Sequence, residues 1–288
     1  MEAKDKERLE AKLAEIDKRL LVFSGKGGVG KSTVSVNLAL ALAQKGMKVG
    51  LLDVDIHGPD LAMMLGVEGK RLASVKEGSI LPYPVTGNLK LVSMSFLLES
   101  SDKAVIWRGP LKMTIIQQFL ADVEWGKLDW LIIDSPPGTG DEPLSVAQLV
   151  PATGAVVVTT PQDVSILDSK KAVSFARAVD LKMVGIIENM SGMTCPHCGG
   201  RIDLFNQGGG ERTATELGVP FLGRIPIDSK VVESSDNGEP VILSHPDSEV
   251  AEAFRQVVDN ILMQDRDSSE QSAPNEAVPA QAGEAGQE

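Results

Sequence analysis

Gly25-Lys26-Gly27-Gly28-Val29-Gly30-Lys31-Ser32 is the stretch that decides how this chain folds. It satisfies the spacing G-x-x-x-x-G-K-[ST], follows the apolar run Leu21-Val22-Phe23, and opens a helical pattern over 31–45 that stops at Gly46. In a strand–turn–helix of this kind, Gly25, Gly27, Gly28 and Gly30 let the backbone turn tightly, with Val29 between them, so that successive N–H groups converge on phosphate oxygens. The helix N-terminus adds the positive end of its dipole. Lys31 supplies a point charge for the phosphates, the Ser32 hydroxyl suits Mg²⁺, and Thr33 falls near an α-phosphate.

Outward from this loop, apolar runs at 20–24, 48–54, 89–95, 128–134, 154–160, 182–188 and 219–225 alternate with helical patterns. Stretches such as Leu131-Ile132-Ile133 and Ala155-Val156-Val157-Val158 are apolar on both faces. Strands covered on each side by helices read that way. The expectation is an α/β fold, a doubly wound, mostly parallel seven-stranded sheet with helices on both faces, among them 31–45, 110–122, 163–179 and 247–263. Residues 1–19 read as a charged helix with Leu9, Leu13, Ile16 and Leu20 along one stripe, followed by one domain over 20–264. The segment 66–88 reads as a loop with a small hairpin, and 190–210 as a Gly-rich loop. From Asp265 to Glu288 the composition predicts an acidic disordered tail.

The ends of two other strand candidates carry carboxylates, where doubly wound sheets place ligands. Asp53 and Asp55 follow Leu51-Leu52, and one or both are expected to face a γ-phosphate, although Asp-x-Asp before Gly58-Pro59 is also ordinary turn chemistry. Asp134, before Pro136-Pro137-Gly138, reads as the carboxylate that holds Mg²⁺ through water, with Gly138 in the adjoining switch. The Asn-Lys-x-Asp element of guanine readers is replaced by Glu188-Asn189-Met190. Asn189 can offer donor and acceptor to adenine, with the turn around Pro226 closing over the base, or it can serve only backbone groups. ATP is the expected nucleotide.

Composition narrows the partners. The net charge of -12, with no Lys/Arg-rich block, argues against a sequence-independent grip on nucleic acid or anionic membrane. No apolar run reaches about 18 residues and the N-terminus lacks an apolar signal core, which leads to a cytoplasmic expectation. The only two cysteines are Cys195 and Cys198, in Thr194-Cys195-Pro196-His197-Cys198-Gly199-Gly200. A Cys-x-x-Cys knuckle supplies two ligands where zinc and iron–sulfur sites take four, so a metal here requires His197 or a second chain. A two-fold axis beside the loop would gather four thiolates. A redox pair and inert thiols are the other readings.

These motifs together resemble the Mrp/ApbC iron–sulfur cluster carrier ATPases, in the deviant Walker A class that also contains MinD, ParA, nitrogenase iron protein and the arsenite-pump ATPases. The resemblance spans about residues 5–263 and rests on Gly25 to Thr33, Asp53-Val54-Asp55-Ile56-His57-Gly58-Pro59, Asp134 to Asp141, Glu188 to Ser191, the cysteine pair and Gly208-Gly209-Gly210-Glu211. It implies a SIMIBI-type P-loop NTPase fold and a homodimer in which Lys26 reaches the partner's nucleotide. It further implies that Asp55 orients the attacking water, and that Cys195 and Cys198 of two chains hold a [4Fe-4S] cluster. That cluster passes to apo iron–sulfur proteins, with cluster-assembly proteins as partners and slow Mg²⁺-dependent ATP hydrolysis. Larger eukaryotic members carry four N-terminal cysteines; residues 1–20 here contain none. Two other readings stay open: a zinc-bridged targeting ATPase with a Met-rich groove, and a MinD/ParA-like positioning ATPase.

Overall fold

Strand β1, Ile16–Phe23, lies at the middle of the sheet and shows how the sequence builds two cores. Leu20 and Val22 point to one face and Leu21 and Phe23 to the other, each side joining a separate apolar cluster. The same alternation recurs in Trp130 and Ile132 against Leu131 and Ile133. With a side-chain period of two, an all-apolar strand must be covered on both faces. One cover is formed by the helices Lys31–Gln44 and Glu249–Gln271, the other by Gly109–Ala121 and Asp163–Ala178.

A computed structural model describes residues 3–55, 58–76, 79–97 and 109–271. After β1 the central sheet takes β2 (Val49–Asp53), β3 (Tyr83–Pro84), β4 (Leu89–Ser93), β5 (Leu128–Asp134), β6 (Gly154–Thr159), β7 (Met183–Glu188) and β8 (Phe221–Arg224). Their order is β8-β7-β6-β1-β5-β2-β4-β3, parallel throughout except for the edge pair β3–β4. All seven strand candidates are present, and the expected seven-stranded sheet gains an eighth. Tyr83–Pro84, inside the segment read as loop, pairs with Leu91 and Lys90, and a proline at an edge leaves no ladder donor missing. The small hairpin expected there is Ala73–Lys76 with Ser79–Leu81.

Two boundaries differ from expectation. The charged N-terminal helix ends at Leu13, and the chain is already in β1 at Ile16, whose register partner is Leu128. Leu9 and Leu13 remain on the helix and pack into the second core, whereas Ile16 and Leu20 belong to the strand. At the other end the last helix continues to Gln271, past Asp265, where disorder was expected. Lys18 Nζ stands 2.6 Å from Asp265 Oδ1 and ties this helix to β1. Residues 272–288, the rest of the expected tail, lie outside the described residues, as do Ile56 and His57.

Parallel order brings the C-terminal ends of β1, β2 and β5 side by side, with Asp134 in register with both Val22 and Asp53. The phosphate-binding loop leaves β1 at this edge, so its glycines and the carboxylates of β2 and β5 meet there.

Candidate functional site: a nucleotide cleft and a cysteine ribbon

Gly30 caps the helix Lys31–Gln44 at φ 81°, a left-handed conformation that disfavours any side chain, and a Cβ there would collide with the Asn189 amide. No side chain caps this helix, leaving its first N–H groups to an anion. A Cβ at Gly25 would strike the Asp168 backbone, so both ends of the motif are held by close packing.

Lys31 is only 6% exposed, and its ammonium lies 2.6 Å from Asp134 Oδ2, 3.2 Å from Ser32 Oγ and 3.7 Å from Asp55 Oδ2. Burial works against its charge, but the carboxylates of Asp134, Asp55 and Asp53 outweigh that penalty and raise its pKa. Asp134 is 1% exposed and accepts the hydroxyls of Ser32 (2.8 Å) and Ser35 (2.5 Å). Ser35 was not singled out from the sequence. Its signal is the i+4 spacing from Lys31, which puts both on one helix face. The oxygens of Ser32 and Asp134, held 2.8 Å apart, are hard donors of the kind that Mg²⁺ prefers.

The two aspartates after β2 differ in their surroundings. Asp53 is fully buried; its Oδ2 accepts from Ser93 Oγ (2.8 Å) and its Oδ1 from the Asp55 N–H (3.1 Å). Burial, then the nearby Asp134 carboxylate, pushes its pKa well above the usual range. Asp55 instead lines a cleft of about 410 Å³ with Lys26, Lys31, Ser32 and Thr33. Gly138 donates its N–H to the Ser24 carbonyl (2.9 Å), and Ser24 Oγ bonds the Lys26 carbonyl (2.8 Å), so the loop after β5 is coupled to the phosphate loop.

A second cleft of about 400 Å³ shares Gly30 and Thr33 with the first and is walled by Asn189, Met190, Pro226 and Ile227. Asn189 and Pro226 therefore line a cleft that adjoins the phosphate loop at Gly30 and Thr33. The Asn189 Nδ2 donates to the Val29 carbonyl (2.8 Å), so part of the hydrogen-bonding capacity expected for adenine holds the phosphate loop in place. Glu188, to which no role was given from sequence, is fully buried one residue away.

Cys195 and Cys198 are free thiols at the turn of a ribbon in which Met193–Thr194 pairs antiparallel with Arg201–Ile202. The Cys195 N–H donates to the Gly200 carbonyl (2.8 Å) and the Gly199 N–H to the Cys195 carbonyl (2.9 Å). Cys198 is exposed and Cys195 partly so. The N–H groups of His197 and Cys198, followed by the Cys198 side chain, lower the Cys195 pKa and favour the thiolate that binds metal. Among the described residues no group of three or more metal-ligating side chains exists, so the ribbon offers two thiols per chain.

The iron–sulfur cluster carrier protein of Methanocaldococcus jannaschii is 48% identical over 256 residues, covering 88% of this chain and 87% of its own. The cytosolic Fe-S cluster assembly factor CFD1 of Eremothecium gossypii is 46% identical over 264 residues, covering 88% and 94%. An Archaeoglobus fulgidus nucleotide-binding protein solved in complex with ADP superposes with a TM-score of 0.75 at 38% identity, over 86% of this chain and 96% of that one. The Pyrococcus furiosus cell division ATPase MinD shares the fold at 23% identity and a TM-score of 0.61, covering 86% of this chain and 99% of its own. With the ParA model for NUBPL iron-transfer P-loop NTPases matching residues 15–262, this chain belongs to that family of iron-transfer P-loop NTPases.

Proposed function

We propose that this chain is a cytosolic, Mg²⁺-dependent ATPase. In this reading two copies hold one [4Fe-4S] cluster between them and pass it to apo-proteins. The observation that carries the reading is the ribbon: two accessible thiols, one already shifted toward thiolate, with no third metal-ligating side chain grouped with them among the described residues. A second copy supplies the remaining two ligands. The names of the Methanocaldococcus and Eremothecium relatives, a carrier and a cytosolic assembly factor, support the same cargo and compartment.

In the nucleotide cleft, Lys31 exchanges its bond to Asp134 for the β- and γ-phosphate oxygens. Ser32 and Asp134 would hold Mg²⁺, which would supply neutralisation of developing phosphate charge. Asp55 orients the attacking water, and Lys26 of the second copy adds charge stabilisation in the transition state. Asp53 positions Asp55 through its N–H bond. Asn189 and Pro226 flank the adenine.

Anaerobic reconstitution with iron and sulfide, followed by iron, sulfide and zinc analysis, tests the reading. It predicts about four irons and four sulfides per two chains. About one zinc and no sulfide per two chains would support the zinc-bridged alternative instead.

A further inference from the structure

The loop that carries the cysteines leaves β7 at Glu188 and ends at the helix Gly209–Leu217. The fully buried Glu188 carboxylate binds both ends. It accepts the Ser191 hydroxyl (2.5 Å) at the start, and the N–H groups of Gly208 (3.0 Å) and Gly210 (2.5 Å) at the finish. Arg224 Nε stands 3.4 Å away and balances its charge. The next residue, Asn189, is bonded to the phosphate loop at Val29. Nucleotide site and cysteine loop are thus anchored at consecutive residues.

Between these anchors the loop carries several apolar side chains that belong to neither core, Leu204 and Phe205 among them. Leu204 is 56% exposed. Both line the second cleft, together with Asn189, Met190, Pro226 and Val231. Because that cleft shares Gly30 and Thr33 with the phosphate cleft, a nucleotide seated on the loop directs its base toward them. An aromatic ring and a branched aliphatic chain suit the faces of a purine, and covering it removes their apolar surface from water.

We infer that Leu204 and Phe205 are base-contacting residues supplied by the cysteine loop, so that an adenine nucleotide restrains the segment bearing Cys195 and Cys198. The inference rests on the nucleotide reading above and adds a route of coupling through the base rather than through the phosphates. Linkage makes the effect reciprocal: whatever orders the loop at its cysteines tightens nucleotide binding by the same factor.

The test is the alkylation rate of Cys195 and Cys198 by iodoacetamide, read by mass spectrometry on the full chain without cluster. Mg²⁺ is present throughout, with no ligand, with ADP, or with tripolyphosphate, which has phosphates but no base. Saturating ADP is expected to slow alkylation at least about threefold and tripolyphosphate to leave it unchanged. Phe205→Ala should weaken ADP binding roughly tenfold without altering tripolyphosphate binding, and should abolish the protection even at saturation. Phe205→Leu should restore most of both. Leu204→Ala, at an exposed position, should act in the same direction and guards against misfolding of the first variant. Unchanged alkylation in a wild-type protein that binds ADP would overturn the coupling and leave the nucleotide reading intact. Equal protection by tripolyphosphate, or wild-type ADP affinity in Phe205→Ala, would overturn the base route. Failure of the wild type to bind either ligand would remove the nucleotide reading and this inference together.

Discussion

Lys31 and the three carboxylates around it show what each charge is for. Asp134 holds the lysine and two hydroxyls, whereas among the described residues Asp53 accepts from Ser93 and the Asp55 N–H. Lys31→Ala and Asp134→Ala should each lower ATP turnover by roughly 10²–10³-fold or more, measured by phosphate release, because each removes a group that offsets phosphate charge. Asp53→Asn should leave turnover far less affected, since the amide oxygen can still accept the Asp55 N–H while the Ser93 hydroxyl turns to accept from the amide N–H. The variant should also change the pH profile of stability. The raised pKa means that the folded state binds this proton more tightly than the unfolded state, so Asp53 costs stability as pH rises from its ordinary value of 3.8 toward the raised one. The melting temperature of Asp53→Asn should therefore gain on wild type across that rise, and a constant difference would contradict the assignment. Most residues of this site were legible in sequence because the phosphate motif fixes their spacing. The resemblance gave the attacking water to Asp55, but the burial of Asp53 against Ser93 of a neighbouring strand shows in no local pattern.

At the scale of elements, doubly apolar runs were the strongest signal, most of the seven strand candidates were of that kind, and all seven entered the sheet. What sequence patterning misplaced were pieces defined by their partners. Ile16-Asp17-Lys18-Arg19 looks like the end of a charged helix, yet it is the start of β1, with Ile16 buried, Asp17 exposed, and Lys18 and Arg19 half-buried. Tyr83–Pro84 is too short to show a period and exists through its pairing with β4. The last helix runs past Asp265, where Lys18 of β1 meets it, a contact across most of the chain. The ribbon of Cys195 and Cys198 was legible as a knuckle, but Leu204 and Phe205 looked like ordinary loop residues until the cleft placed them. The weight carried by the middle of the sheet is measurable. Ile132→Ala, at a fully buried position on β5, should cost about 2–5 kcal/mol, a Tm drop on the order of 10 °C by calorimetry. A drop below about 2 °C would contradict the two-core description.

For the whole molecule, Lys26 and the cysteine pair both require a second copy in this account. Lys26 lines the phosphate cleft of its own chain. Lys26→Ala should nevertheless keep ADP affinity within about threefold while lowering turnover by on the order of 10²-fold, because its proposed contribution is across the dimer in the transition state. Equal losses in affinity and turnover would assign Lys26 to its own subunit's nucleotide. The cluster makes the sharper demand, since each chain brings two thiols and the cargo takes four. Native mass spectrometry of the anaerobically reconstituted protein, wild type beside Cys195→Ala and Cys198→Ala, reads chain number and cluster content in one spectrum. The account predicts a wild-type species of two chains with one four-iron, four-sulfide cluster, and loss of that species in both variants. A cluster on a single chain, or an intact cluster in either variant, would contradict it.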